Sequence, residues 1–346
     1  MSETQTNILE EYSKSRDVYM SYARTLTALL ERLLAVNSVP VHSINFRCKT
    51  VESLAGKVAR KEKYKHLHEI TDLAGVRIIT LFSSDVDVVA ELVEREFVVD
   101  RVNSIDKRVA LDPDRFGYLS LHYVISLNQS RGELQEYSGF APLKLELQIR
   151  SILQHTWAEI EHDIGYKSVA EVPKQIRRRF SRLAGLLELA DQEFTGIRRE
   201  LDEYAVEVDD NIQERAEEIL LDKVSLQTFV GSNQLCVELD GLVAKMRNAR
   251  QQETLVNASL LLGMELVGVK TLGAVEKNLE LYRGDIIRRA EDVAVNSSPV
   301  KHVQYGICLF FLVQVMVAKT KDRGLIDKYV LDNEWGQRFA DYLMAF

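Results

Sequence analysis

The chain has 346 residues, 46% hydrophobic and 28% charged, an ordinary globular composition with room for two domains. Its net charge of −8 is uneven: residues 201–346 hold 16 basic against 23 acidic residues, which argues against general nucleic-acid binding and leaves only local basic patches. No apolar run reaches the ~18 residues of a membrane span, the first residues are too polar for a signal peptide, and Cys48, Cys236 and Cys308 stand far apart with no CxxC. The expectation is a cytoplasmic protein with no membrane partner, no disulfide framework and no structural zinc.

In chain order, Tyr12, Tyr19, Leu26 and Leu33 recur every seven residues, with Ile8, Tyr22, Leu29 and Val36 between them, and predict one amphipathic helix over 7–36. A strand is expected at 42–50, and a basic helix at 51–65. DLAGVRIITLF (72–82) reads as a buried strand, 84–96 as a helix, and 97–104, 121–128 and 143–150 as further strands. Helices follow at 150–166 and from Pro173 to about Val208. Beyond that every segment reads as helical: 211–230, 234–250, 253–266, 272–294, 300–320 and 323–344. The implied organisation is an α/β unit followed by a helical one, divided near residue 210.

Two acidic residues interrupt strands that otherwise read as buried. Asp72 opens one. Glu146 lies in LKLELQIR, where the period of two places Glu146, Gln148 and Arg150 on one face. Carboxylates on neighbouring strands suit Mg²⁺ beside phosphates; a sheet with one wet face is the alternative. Arg47 and Lys49 share a strand face, and Ser53 and Lys57 share a helix face. A Ser opening a helix with exposed N–H groups suits phosphate, or is simply a cap. Tyr118 could stack on a base or fill a core. His155 and His162 share a helix face, but without an HExxH spacing no zinc site is expected.

These residues lie in FRCKTVESLAGK (46–57), DLAGVRII (72–79), FGYLSLH (116–122) and LELQIRSILQHTWAEIEHDIGYK (145–167). In order and spacing the four stretches resemble the synthetase domain of the RelA/SpoT family, in particular the small alarmone synthetases. The resemblance implies an α+β fold, a nucleotidyltransferase-like mixed β-sheet flanked by helices, here spanning 1–210. An all-α C-terminal region would follow at 211–346. It implies transfer of the β,γ-pyrophosphate of ATP to a ribose 3′-hydroxyl of GDP or GTP. Asp72 looks like the Mg²⁺ ligand, and Glu146 like a second ligand or base. Arg47 and Arg77 resemble the pair around adenine; Lys49, Ser53 and Lys57 resemble triphosphate contacts. Tyr118, with His122, Gln148 and Arg150 near it, resembles the acceptor site.

The sequence departs from the family in one stretch. PDRFGYLSLH has Asp114 and Phe116 where the family usually has Lys and Asn. A carboxylate at 114 would repel acceptor phosphates. Lys174, Arg177, Arg178, Arg179 and Arg182 then form a basic run that suits an RNA backbone or a solvated helix face. A toxic branch of the small synthetases is similar in this respect: it pyrophosphorylates the 3′-terminal adenosine of tRNA. Some members carry a fused C-terminal region that restrains the toxin until a phage component is sensed. Residues 211–346 show no recognised motif and no HD pair, and would suit such a regulatory module with a protein effector, or a scaffold. A non-catalytic nucleotide- or RNA-binding module is a further reading, against which the presence of both Asp72 and Glu146 counts. Oligomeric state has no signal in the sequence.

Overall fold

The computed structural model describes residues 2–61, 63–106, 120–163 and 173–346. They form two compact units, Met1–Ile197 and Arg198–Phe346.

The first unit starts with α1 (Glu3–Val36), opened by a reciprocal cap between Ser2 and Gln5. Its apolar stripe buries Ile8, Tyr12, Tyr19, Tyr22, Leu26, Leu30 and Leu34. There follow β1 (Ser43–Cys48), α2 (Val51–Arg60), β2 (Ala74–Thr80), α3 (Ser84–Glu96), β3 (Phe97–Val99), β4 (Ile105–Asp106) and β5 (Leu121–Leu127). A single turn, α4 (Gln129–Gly132), leads to β6 (Leu145–Ser151), and α5 (Ile152–Asp163) follows without a loop. The sheet runs β1-β2-β6-β5-β3, with β4 beside β5. Only β2 and β6 pair in parallel; the other pairs are antiparallel, so the sheet is mixed and flanked by helices.

Val76, Ile78, Leu121, Tyr123, Ile125, Leu145, Leu147 and Ile149 join the buried faces of α1, α2 and α3 in one core. The passage from β6 into α5 is made by Ser151 and Gln154, each accepting the other's backbone N–H through its side chain. Ser151 Oγ also donates to Asp191 on α6 (Lys174–Arg215) at 2.6 Å. Trp157 of α5 packs edge-on against Phe180 of α6.

Two elements are shorter than their expected spans. Helix 51–65 ends at Arg60, because after Leu54 and Val58 no apolar residue continues its buried face before Tyr64. The strand expected at 97–104 stops at Val99. There Asp100 turns the chain by accepting the N–H groups of Val102 and Asn103.

The second unit is helical: α7 (Lys223–Ser232), α8 (Gln234–Met246), α9 (Ala258–Leu266), α10 (Leu272–Leu281), α11 (Arg283–Asn296), α12 (Ile307–Thr320), α13 (Arg323–Asp332) and α14 (Gln337–Ala345). Two short strands, β7 (Arg250–Thr254) and β8 (His302–Tyr305), pair in parallel; the sequence reading had β8 in the first turn of a helix and β7 across the break between the helices 234–250 and 253–266. α12 is apolar on almost all sides and buries Leu309, Phe311, Leu312, Val313, Val315 and Val317 at the centre of this unit's core. Its one buried polar side chain, Gln314, accepts from Arg289 Nε at 2.7 Å. No helix among the described residues is long and apolar enough to cross a membrane.

Cys236 and Cys308 are 72 positions apart in sequence, yet α8 and α12 bring their sulfurs to 3.2 Å as free, fully buried thiols. Their separation along the chain concealed this.

Candidate active site

The register of the sheet builds one polar face. Arg47, Gly75 and Glu146 lie side by side across β1, β2 and β6. In the next row lie Asn45, Arg77, Gln148 and, from β5, His122. Because side chains alternate along each strand, these residues share the face opposite the main core. Asn45, Arg47, Gly75, Arg77, Glu146 and Gln148 line a cavity of about 110 Å³. Gly75 is its open floor: a Cβ there would stand 3.7 Å from the Arg47 side chain and 3.4 Å from the Glu146 carbonyl oxygen.

Glu146 is the hub. His122 Nδ1 lies 3.3 Å from its Oε1, Gln148 Nε2 donates to its Oε2 at 3.0 Å, and Arg47 is 3.7 Å away. Burial works against its charge, but hydrogen bonds from His122 and Gln148 and the charge of Arg47 win and pull its pKa down to about 2. Arg150 is 5% exposed and donates to Gln148, extending the chain of contacts inward. Burial, with repulsion from Arg77, lowers the Arg150 guanidinium to about 10. His122 Nε2 is engaged by Ser120 Oγ at 2.7 Å.

Asp72 stands in the turn two residues before β2, rather than in the strand itself. β2 and β6 run parallel in register from Gly75 and Glu146, so Asp72 leads into the same end of the strand pair at which Glu146 sits. Its carboxylate is clamped between Lys49 Nζ at 3.0 Å and Lys57 Nζ at 2.6 Å. Burial again opposes ionisation; the two lysines overcome it and lower the Asp72 pKa.

The expectation for Ser53 is corrected in one respect. The cap of α2 is Thr50, whose Oγ1 accepts the Ser53 N–H at 3.1 Å, so that N–H is occupied and the exposed Ser53 hydroxyl is what faces solvent. Tyr118, with Asp114 and Phe116, lies outside the described residues. Arg178, Arg179 and Arg182 are exposed on α6; the side chains of Lys174 and Arg177 fall outside those described. The sequence reading passed over Glu159. It accepts from Arg77 Nη1 at 2.8 Å and lies 3.7 Å from His155, one helical turn away. Its spacing of four from His155 was the available signal.

The profile of a region found in RelA / SpoT proteins matches residues 46–171, the span that contains every strand of the polar face except the first half of β1. The chain is 34% identical to the GTP pyrophosphokinase YwaC of Bacillus subtilis (strain 168), over 171 residues that make up 47% of this chain and 76% of that protein. It is 30% identical to the GTP pyrophosphokinase YjbM of the same organism over 168 residues, 47% of this chain and 75% of that one. The chain belongs to the RelA/SpoT family. As a member of it, with GTP pyrophosphokinases among its relatives, it is a pyrophosphokinase by class. The crystal structure of small alarmone synthetase 1 from Bacillus subtilis aligns with 56% of this chain and 99% of its own length, at 27% identity and a TM-score of 0.47. Both sequence matches cover 47% of this RelA/SpoT chain.

Proposed function

We propose that the chain transfers the β,γ-pyrophosphate of ATP to the 3′-hydroxyl of GDP or GTP. The observation that carries this reading is the pair of ionised carboxylates at one end of two neighbouring parallel strands, each already facing positive charge: Asp72 that of Lys49 and Lys57, Glu146 that of Arg47. Phosphoryl-type transfer depends on positioning and charge neutralisation, which is what such a face offers.

In this reading the planar guanidinium groups of Arg47 and Arg77 hold the adenine, with Arg77 steadied by Glu159. Lys49, Lys57 and the Ser53 hydroxyl take the phosphates. The acceptor lies toward His122, with Tyr118 assigned to it by the family motif alone; Gln148 and Arg150, both buried, act by fixing Glu146. The 3′-oxygen attacks the β-phosphorus, the bond from that phosphorus to the α-bridging oxygen breaks, and AMP leaves with the electron pair. A carboxylate at about 2 is a weak base. Glu146 therefore chiefly orients the hydroxyl and receives its proton late, as the new bond forms. Two ionised carboxylates fit Mg²⁺, which takes one or two from a protein and the rest of its shell from phosphates and water. Asp72, with Glu146, would hold it, and when bound it would neutralise charge on the transferred group.

A second reading has the 3′ end of tRNA as acceptor, with the second unit as restraint. Asp114 and Phe116 favour it, as do the exposed Arg178, Arg179 and Arg182. One assay separates the two: protein incubated with γ-labelled ATP and Mg²⁺, offered GDP, GTP or deacylated tRNA. Label on a guanine nucleotide is the expected result. Label on tRNA alone overturns the first reading in favour of the second, and label on neither overturns both.

A further inference from the structure

The second unit carries an acidic excess, and several of its surface cations are matched by carboxylates. Lys277 pairs with Glu217, Arg283 with Glu238, Arg288 and Lys319 with Asp285, and Arg323 with Asp327 and Asp341. One cleft departs from this pattern. It has a volume of about 700 Å³ and is bounded by the end of α8, the end of α11 and the start of the β7–β8 pair. Arg247, Arg250, Lys301 and His302 line it, and no carboxylate does so among the described residues. Parallel pairing sets Arg250 directly beside His302, and the Arg250 N–H donates to the Lys301 carbonyl at 3.0 Å, so register alone gathers the three.

Arg247 has a structural task. It donates to the Val293 carbonyl at 2.6 Å and the Ser298 carbonyl at 2.7 Å, joining the end of α11 to the loop before β8. Both acceptors are neutral, so its charge is not cancelled. Cations beside helix C-termini are ordinarily explained by the helix dipole. That accounts for Arg247 but not for Arg250, Lys301 and His302, which stand on or next to strands and form no ion pair among the described residues. Arg250 and Lys301, two uncompensated charges lining one cleft, repel each other unless an anion joins them.

We propose that this cleft binds a small polyphosphate anion. The volume falls in the range of small-ligand sites, roughly 300–1,000 Å³. No Phe, Tyr or Trp lies among the lining residues, so recognition rests chiefly on the cations and hence on phosphate rather than base. Inorganic polyphosphate and the phosphate tail of a nucleotide share this chemistry. The site is separate from the polar face of the first unit, and does not depend on which acceptor that face uses.

The test is calorimetric titration of the full chain with inorganic tripolyphosphate and, separately, with ATP, in the absence of Mg²⁺. The first unit's lysines also bind such anions, so two variants divide the signal. Lys49→Gln/Lys57→Gln should retain the cleft's binding event. Arg250→Gln/Lys301→Gln should weaken it by about 10- to 100-fold, the loss expected for removing charge-assisted hydrogen bonds. Both substituted side chains of the second variant are exposed, and its unfolding curve checks that it folds. The charge-keeping exchange Arg250→Lys/Lys301→Arg should bind like the parent. Equal binding by tripolyphosphate and ATP would identify phosphate as the determinant. Unchanged binding in Arg250→Gln/Lys301→Gln would overturn the proposal. So would tight binding of a short single-stranded RNA through the same residues that tripolyphosphate cannot displace, which would assign the cleft to a nucleic-acid backbone.

Discussion

Asp72 carries one ammonium group on each carboxylate oxygen, and that arrangement sets what its loss would do. Asp72→Asn leaves Lys49 and Lys57, with side chains 14% and 17% exposed, facing each other without a counter-charge. We expect a stability loss of about 1–3 kcal/mol in urea together with a fall in transfer of roughly 10³-fold. Adding Lys57→Met should restore the urea midpoint but not the activity; recovery of both would mean that Asp72 only balances charge. Glu146 gives a pH signature. Its folded pKa, about 2, lies below the ordinary 4.5, so its contribution is complete above about 4.5 and is lost as pH falls toward 2. Glu146→Gln should therefore flatten the decline of the urea midpoint over that interval, and an unchanged slope would refute the assigned hydrogen bonds. The alternation in LKLELQIR already placed Glu146, Gln148 and Arg150 on one face. It could not say that Gln148 and Arg150 are buried beneath Glu146, because burial depends on the helices that cover the sheet.

Among the elements, α2 delivers Lys57 to Asp72, and its first turn is held by Thr50 Oγ1. Thr50→Ala should cost about 1 kcal/mol. Because the loosened helix carries a phosphate-binding lysine, KM for ATP should rise severalfold with kcat nearly constant; steady-state kinetics would show the split, and a fall in kcat alone would contradict it. Ser53 looked like the start of this helix because hydroxyl residues favour caps. Thr50 satisfies the same rule three residues earlier, and only the backbone geometry chooses between them. β7 and β8 escaped notice for a different reason. RQQET has neither the alternation nor the β-branched content of a strand, HVQY is only four residues long, and each is stabilised by a partner about 50 positions away. Glu159 was hidden among the other polar and aromatic residues of α5 until Arg77 was seen to reach it.

At the scale of the molecule, two separate cores underlie the two units. Leu312, fully buried on α12, belongs to the second. Leu312→Ala should remove about 2–5 kcal/mol from the unfolding of residues 198–346 while leaving the transition of the first unit in place. Scanning calorimetry would resolve this as one moving and one stationary transition; a single transition that shifts as a whole would show that the cores unfold together. The division itself falls inside α6, at Ile197, where Gly196 leaves the helix unbroken and no proline or loop marks it. A reading based on linkers therefore set it near residue 210. Tyr204 and Val208 explain the difference, since both pack with the second core.

The sequence by itself determined the family, the polar face of the sheet and the residue types of its chemistry, because strand alternation and short motifs are local properties. It also contained the apolar segment that became α12, though not the reason for it, which is burial on every side. Only the tertiary structure decided the contacts between residues far apart in sequence. Arg77 met Glu159, Lys49 and Lys57 closed on Asp72, Cys236 came against Cys308, and Arg250 came beside His302. Each of these depends on how helices and strands pack, and packing is set by the summed fit of many side chains rather than by any local pattern.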